Sequence, residues 1–202
     1  MSRKLPYRRY EELKSLAADL IEDYALSYPL DPFEIAATLG VHVTVHEFGL
    51  PPLAWFCGTT DGYTTPVQSA HGLKFKAHLN GAPSLLRRRF TLMHEIAHIW
   101  LDHPRANEPA SENVTEAEAN FLAAYLLAPD ALVVAWVPDL TVAGIAQEFQ
   151  VSDEAASIIH HRVMRMLNGN AVHQGYDRRI ASSAVRLLDT TDSSSAQVQG
   201  SA

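Results

Sequence analysis

The spacing of hydrophobic positions changes period twice in the first ninety residues. From Tyr10 to about Tyr28, Leu13, Leu16, Ala17, Leu20, Ile21 and Tyr24 recur at helical spacing, which predicts an amphipathic helix. Asp31 can cap a second, short helix carrying Phe33, Ile35, Ala36 and Leu39 and stopped by Gly40. The period then falls to two. Val41, Val43 and Val45 alternate with His42, Thr44 and His46, the pattern of a half-buried strand whose histidines are expected to face solvent. Leu53 to Cys57 reads as a second strand, turning around Asp61-Gly62. Gly58 to Gly72 is polar and turn-rich, so it is expected to be a loop. Leu73, Phe75, Ala77 and Leu79 then alternate with Lys74, Lys76, His78 and Asn80 in a third strand.

Helical spacing returns after Pro83. Ser84 is a candidate N-cap, Pro104 lies beyond the end, and Phe90, Met93, Ala97 and Trp100 form an apolar stripe. This helix carries His94-Glu95-Ile96-Ala97-His98, an H-E-x-x-H spacing. Four helical residues turn through about 400°, so the two imidazoles stack one turn apart on one face. Placed so, they can hold one Zn²⁺, with Glu95 beside them to act on a water. A buried helix with two satisfied histidines is the alternative, but two imidazoles and a carboxylate in an apolar helix need partners to offset desolvation.

A zinc site requires a third ligand. The extended pattern H-E-x-x-H-x-x-G-x-x-H fails here, because Leu101 stands at the glycine and Pro104 at the final histidine. His103 falls one residue early and reads as a helix-end or surface histidine. The other source is a glutamate from the helix predicted over Thr115 to Leu127, ending near Pro129. Glu116 and Asn120 share a face of it, whereas Glu118 lies about 200° round from Glu116. Thr115 and Glu118 also fit a capping box, a purely structural task. Glu116 is therefore the preferred ligand and Glu118 the alternative. Asn120 is the candidate to accept a hydrogen bond from a ligand histidine's other ring nitrogen, unless it is an ordinary surface amide.

The run R-R-F-T-L-M-H-E-I-A-H from Arg88 to His98, followed by E-A-E-A-N-F-L-A-A-Y-L-L-A-P from Glu116 to Pro129, resembles the ImmA/IrrE family of zinc metallopeptidases. The likeness extends over Tyr28 to Ala36 and Leu39 to Val41, and more distantly the pattern resembles the gluzincin arrangement, where the later residue is often Asp. The resemblance implies an α+β, zincin-like domain: a small three-stranded sheet, the H-E-x-x-H helix and a following helix with the glutamate ligand. It also implies a cytoplasmic endopeptidase that cuts a transcriptional repressor, often of a mobile element or stress response. In zinc peptidases of that build an edge strand pairs with the substrate backbone. Lys74 to Asn80 is the candidate, a structural strand with charged edge protection being the equal alternative.

Composition narrows the remainder. With 202 residues and 47% hydrophobic content, the chain can build a sizeable core. A formal charge of −7 argues against a surface that coats nucleic acid. Cys57, the sole cysteine, permits no internal disulfide or cysteine-based zinc site and reads as a packed strand residue. The basic start from Met1 to Arg9 lacks the apolar run of a signal peptide and reads as a solvated end. No stretch reads as a span of ~20 apolar residues, so a cytoplasmic protein is expected. Three pieces are expected: a metallopeptidase domain over 1–132, a helical segment over 133–185 and a disordered tail over 186–202, with Asp189 to Ala202 too polar to fold. Leu140 to Leu167 resembles a helix-turn-helix, with Val151-Ser152 as its turn. Its second helix opens on Ser152-Asp153-Glu154, which would meet phosphate with negative charge, while Arg162 and Arg165 come late. Packing or partner docking is thus favoured over DNA contact, and His160 and His161 are expected at the surface.

Peptide hydrolysis is the leading functional expectation. Zn²⁺ on His94, His98 and Glu116 would polarise the scissile carbonyl, and Glu95 would carry the proton from water to the leaving amine. An oxyanion donor is needed, and Tyr125, His71 and His78 remain open. The alternatives are a DNA-binding regulator with a vestigial site and a partner-binding module with structural zinc. The latter calls for a fourth protein ligand, for which the sequence offers no convincing candidate.

Overall fold

The computed structural model describes residues 5–51, 61–70, 72–103, 112–169 and 175–187. The first helix, α1, runs Tyr7–Asp23 and buries Leu13, Ala17, Ala18, Leu20 and Ile21. It stops short of the expected Tyr28. Ala25 takes a positive φ of 47°, and Ser27–Tyr28 becomes a short strand, β1, parallel to β5 at Val185–Arg186. That pairing joins residues far apart in the chain, so no local periodicity announces it. The helix α2, Pro32–Thr38, opens as expected on Asp31, whose carboxylate accepts from Phe33 N–H at 2.9 Å.

A three-stranded sheet follows, ordered β2–β4–β3, with β2 at His42–His46, β3 at Gly62–Ser69 and β4 at Gly72–Asn80. β2 runs parallel to β4, from His42 opposite Lys76 to His46 opposite Asn80, and β3 runs antiparallel to it. Two expectations are corrected here. The stretch expected as a loop after Gly58 contains β3, because Tyr63, Thr64, Thr65 and Val67 suit a pleated ladder. Its polar look arises because Pro66 to Gln68 project into solvent. In turn, β4 is the central strand. Over Lys76–Leu79 it has a neighbour on each side and cannot add a substrate strand. Phe75, Ala77 and Leu79 do alternate inward as expected. The strand expected at Leu53 to Cys57 lies outside the described residues, as does the tail from residue 188 on, whereas Arg186, expected in that tail, is ordered in β5 because it pairs with Tyr28 and binds Glu148.

The helix α3, Leu85–Trp100, begins at Ser84, whose hydroxyl accepts from Arg87 N–H at 3.3 Å. Its inner side presses on the sheet so closely that a Cβ at Gly62 would sit 2.6 Å from the Thr91 methyl, one turn before His94. The helix α4, Glu112–Leu127, packs beside it. The run Asn113–Trp136 is long and apolar enough to cross a membrane, contrary to the sequence reading, yet 67% of its most apolar window is buried within the protein. These are core positions: Leu122, Ala123, Leu126 and Leu132 are fully enclosed.

The later helices are α5 at Asp130–Trp136, α6 at Val142–Phe149, α7 at Asp153–Asn168 and α8 at Gly175–Ser183. α6, the left-handed Gln150 and the Ser152 cap of α7 stand where the periodicity places a helix–turn–helix pair. Both helices contribute to the core. Ile145, Phe149, Ile159 and Val163 join the same core cluster as Leu92, Met93 and Ile96 of α3. Arg162 is turned inward to the carboxylate of Asp130, at 2.6 Å.

Candidate metal centre

His94 and His98 project from the same face of α3, half-buried, with their Nε2 atoms 3.0 Å apart. Helix α4 crosses so that Glu116 reaches both, with Oε2 3.3 Å from His94 Nε2 and Oε1 3.2 Å from His98 Nε2. The three ligand atoms lie within 4.8 Å of one another. The two imidazoles beside it, of His94 and His98, hold the Glu116 carboxyl well below the usual carboxylate range. Glu95 follows His94 in the helix, about 100° round, and is buried.

This donor set fits a divalent cation on chemical grounds. Two imidazole nitrogens converge on a carboxylate that is half exposed, so one side stays open to solvent. A His₂Glu set with one position left over is a composition catalytic zinc sites use. No other cluster of three or more His, Cys, Asp or Glu side chains with this geometry occurs among the described residues.

Glu116, preferred from helical phase, is therefore the glutamate beside the histidines. Glu118 lies elsewhere, though not in a capping box: Thr115 sits inside α4, and the Glu118 carboxylate binds Arg9 Nε at 2.7 Å and His103 Nε2 at 3.1 Å. His103 is not a surface residue. Asp102 takes a positive φ of 57° just past α3, and His103 lies with Nδ1 2.8 Å from His98 Nδ1. Burial pulls its pKa down, its hydrogen bond to Glu118 opposing. Asn120 does not take the role expected for it. It is exposed, and no hydrogen bond joins it to either histidine, the outer nitrogen of His98 being occupied by His103.

The oxyanion candidates fare no better. Tyr125 is fully enclosed, its ring under the charges of Lys14 and Arg162 at 5.8 and 5.3 Å, and burial pushes its pKa up. His78 lies on the sheet face opposite the inward Ala77 and Leu79, bonded to His46 at 2.9 Å and stacked on Tyr63. His46 is thus half-buried by a partner rather than turned simply to solvent. Burial, with Lys76, His46 and His42 nearby, lowers the His78 pKa. His71 lies outside the described residues. His161 is exposed as expected and bonds the Ser157 carbonyl of its own helix.

Sequence reasoning missed the contacts that join Arg9, Glu118 and His103. The available signal was an acid, Glu118, flanked by Ala117 and Ala119 on an apolar helix, since a carboxylate there needs a partner. Nothing local pointed to Arg9, 109 residues away.

An α+β scaffold with an H-E-x-x-H helix and a glutamate from the next helix defines a metallopeptidase-type protein. The model of the IrrE N-terminal-like domain, peptidase family M78, matches residues 36–160. That is more than half of the chain, and the protein belongs to this ImmA/IrrE-type metallopeptidase family. No curated protein matches it.

Proposed function

We propose that the protein is a zinc-dependent endopeptidase acting in the cytoplasm on a specific protein, a transcriptional repressor of a mobile element or stress response. The observation that carries this reading is the convergence of His94 Nε2, His98 Nε2 and the Glu116 carboxylate beside Glu95. Zn²⁺ held there supplies Lewis-acid polarisation of a carbonyl and makes a water more acidic. The chain's own residues divide the remaining work. His94 and His98 are stacked by the helical repeat and backed by the enclosed Met93, Ile96 and Ala97, which restrict their movement. Glu116 contributes negative charge from a separate helix. Glu95 accepts a proton from the attacking water at a carboxylate oxygen and delivers it to the leaving amine nitrogen, help typically worth ~10²–10⁴-fold.

The test incubates the protein, zinc-loaded or chelated, with the repressor encoded nearest its own gene. Zinc-dependent cleavage at one bond is expected. Glu95→Gln should retain zinc and lose cleavage by about 10²–10⁴-fold. Cleavage surviving that substitution removes Glu95 from the reaction, and an uncut repressor with zinc bound refutes the assigned substrate.

A further inference from the structure

The outer nitrogen of His98 opens a chain of hydrogen bonds that leads away from the metal centre and ends on α1, outside the family match. His98 Nδ1 meets His103 Nδ1 at 2.8 Å, His103 Nε2 meets Glu118 Oε2 at 3.1 Å, and Arg9 Nε donates to Glu118 Oε1 at 2.7 Å. Arg9 is anchored in turn by Glu12, Nη1 to Oε2 at 3.0 Å.

Direction along this chain follows from its far end. A guanidinium has donors only, so Glu118 accepts from Arg9 as a carboxylate. A carboxylate has no hydrogen to give, so His103 Nε2 must carry one and donate it. The neutral imidazole then has its lone pair on Nδ1, which can only accept. His98 Nδ1 therefore carries the hydrogen, and its Nε2 is left with the lone pair, facing His94 and Glu116. We infer that Arg9, Glu118 and His103 are positioning residues that fix the ring orientation and tautomer of His98 as a metal ligand. The inference rests on the metal-binding reading of the site.

Two further features support it. The side chains of His103 and Glu118 are only 12% and 10% exposed, so water, which could donate or accept at either nitrogen, does not compete. The ring of His103 also meets that of His98 edge-on, with centroids 4.9 Å apart, which restrains rotation of His98 about χ2. Among the described residues His94 has no such support, for none of them offers its buried Nδ1 a hydrogen-bond partner. The two ligand histidines are thus held unequally, and a helix that precedes the family match holds the better-fixed one.

Zinc affinity, measured by competition with a chromophoric chelator, tests this without reference to cleavage. Groups that orient a ligand histidine are typically worth about 10- to 100-fold in metal affinity, so His103→Leu should weaken zinc binding by that factor. His103→Asn, whose Oδ1 can stand in for Nδ1, should recover most of the loss. Arg9→Met should weaken binding less than His103→Leu. Nitrogen-resolved NMR of the zinc-loaded wild-type protein should place hydrogens on His98 Nδ1 and His103 Nε2, a readout that holds even if a variant fails to fold. A folded His103→Leu protein binding zinc like wild type overturns the inference, as does a hydrogen on His103 Nδ1. If His98→Ala abolishes binding while His103→Leu does not, only the relay fails. If wild type binds no zinc, the metal reading and the relay fail together.

Discussion

Removing Arg162 should weaken the joint between α4, which carries Glu116, and the C-terminal helices. Its Nε donates to Asp130 at 2.6 Å and its Nη2 to the Ala128 carbonyl at 2.7 Å, at the turn between α4 and α5. Asp130 is 1% exposed, so Arg162→Met leaves an enclosed carboxylate without its main partner. Breaking a buried pair from one side costs roughly 3–5 kcal/mol. Two features favour the lower end: Arg162 itself is 20% exposed, and Lys14 Nζ, 3.9 Å from Asp130, can move closer. The loss of the guanidinium over the Tyr125 ring acts in the opposite direction. The expected destabilisation is about 3 kcal/mol by urea unfolding with an unchanged m-value, a Tm shift of about 6–12 °C for a chain this size. Asp130→Asn in the Arg162→Met background should restore at least ~1 kcal/mol relative to additivity. A loss below ~1 kcal/mol for Arg162→Met would refute the claim that this pair clamps α7 to the turn before α5.

The remaining expectations concern alkaline pH and one glycine. Burial raises the pKa of Tyr28, and of Tyr125 with Asp130 and Asp177 adding to it, while desolvation and the hydrogen bond to Glu11 raise Tyr176. A folded-state pKa above the unfolded value of 10.0 gives stability that is complete below pH 10 and lost as pH rises beyond it. Tyr28 and Tyr125 together should steepen alkaline unfolding by about 3 kcal/mol per pH unit, Tyr176 adding less because it is partly solvated. Tyrosinate absorbance and far-UV circular dichroism should then change together, and early ionisation of both groups in a folded protein would contradict this. Gly62→Ala places a methyl against Thr91, His78 and Leu79 and should cost about 1–3 kcal/mol in thermal unfolding; a change within ~0.5 kcal/mol would mean the strand and helix part freely.

The geometry of the candidate metal centre was legible because it is local. His94, Glu95 and His98 lie within five residues of one helix, whose repeat alone dictates their relative direction. Glu116 over Glu118 was legible by the same phase argument within α4. Capping at Asp31 and Ser84 was local too, a side chain bonding a backbone N–H two or three residues on. Where the sequence reading erred, the deciding partner lay in another element. Ser27–Tyr28 left the helical pattern for a strand more than 150 residues later, β4 became central because β2 and β3 flank it, and Tyr125 was enclosed by Lys14 and Arg162.

Residue type and spacing thus determined by themselves which atoms could grip a cation and from which two helices. Only the folded chain decided what stands behind them. The outer nitrogen of His98 meets His103 rather than Asn120, because a left-handed turn at Asp102 brings His103 back against it. Helical periodicity fixes angles over a few residues, whereas a buried hydrogen bond is settled by whichever distant segment the core delivers to it.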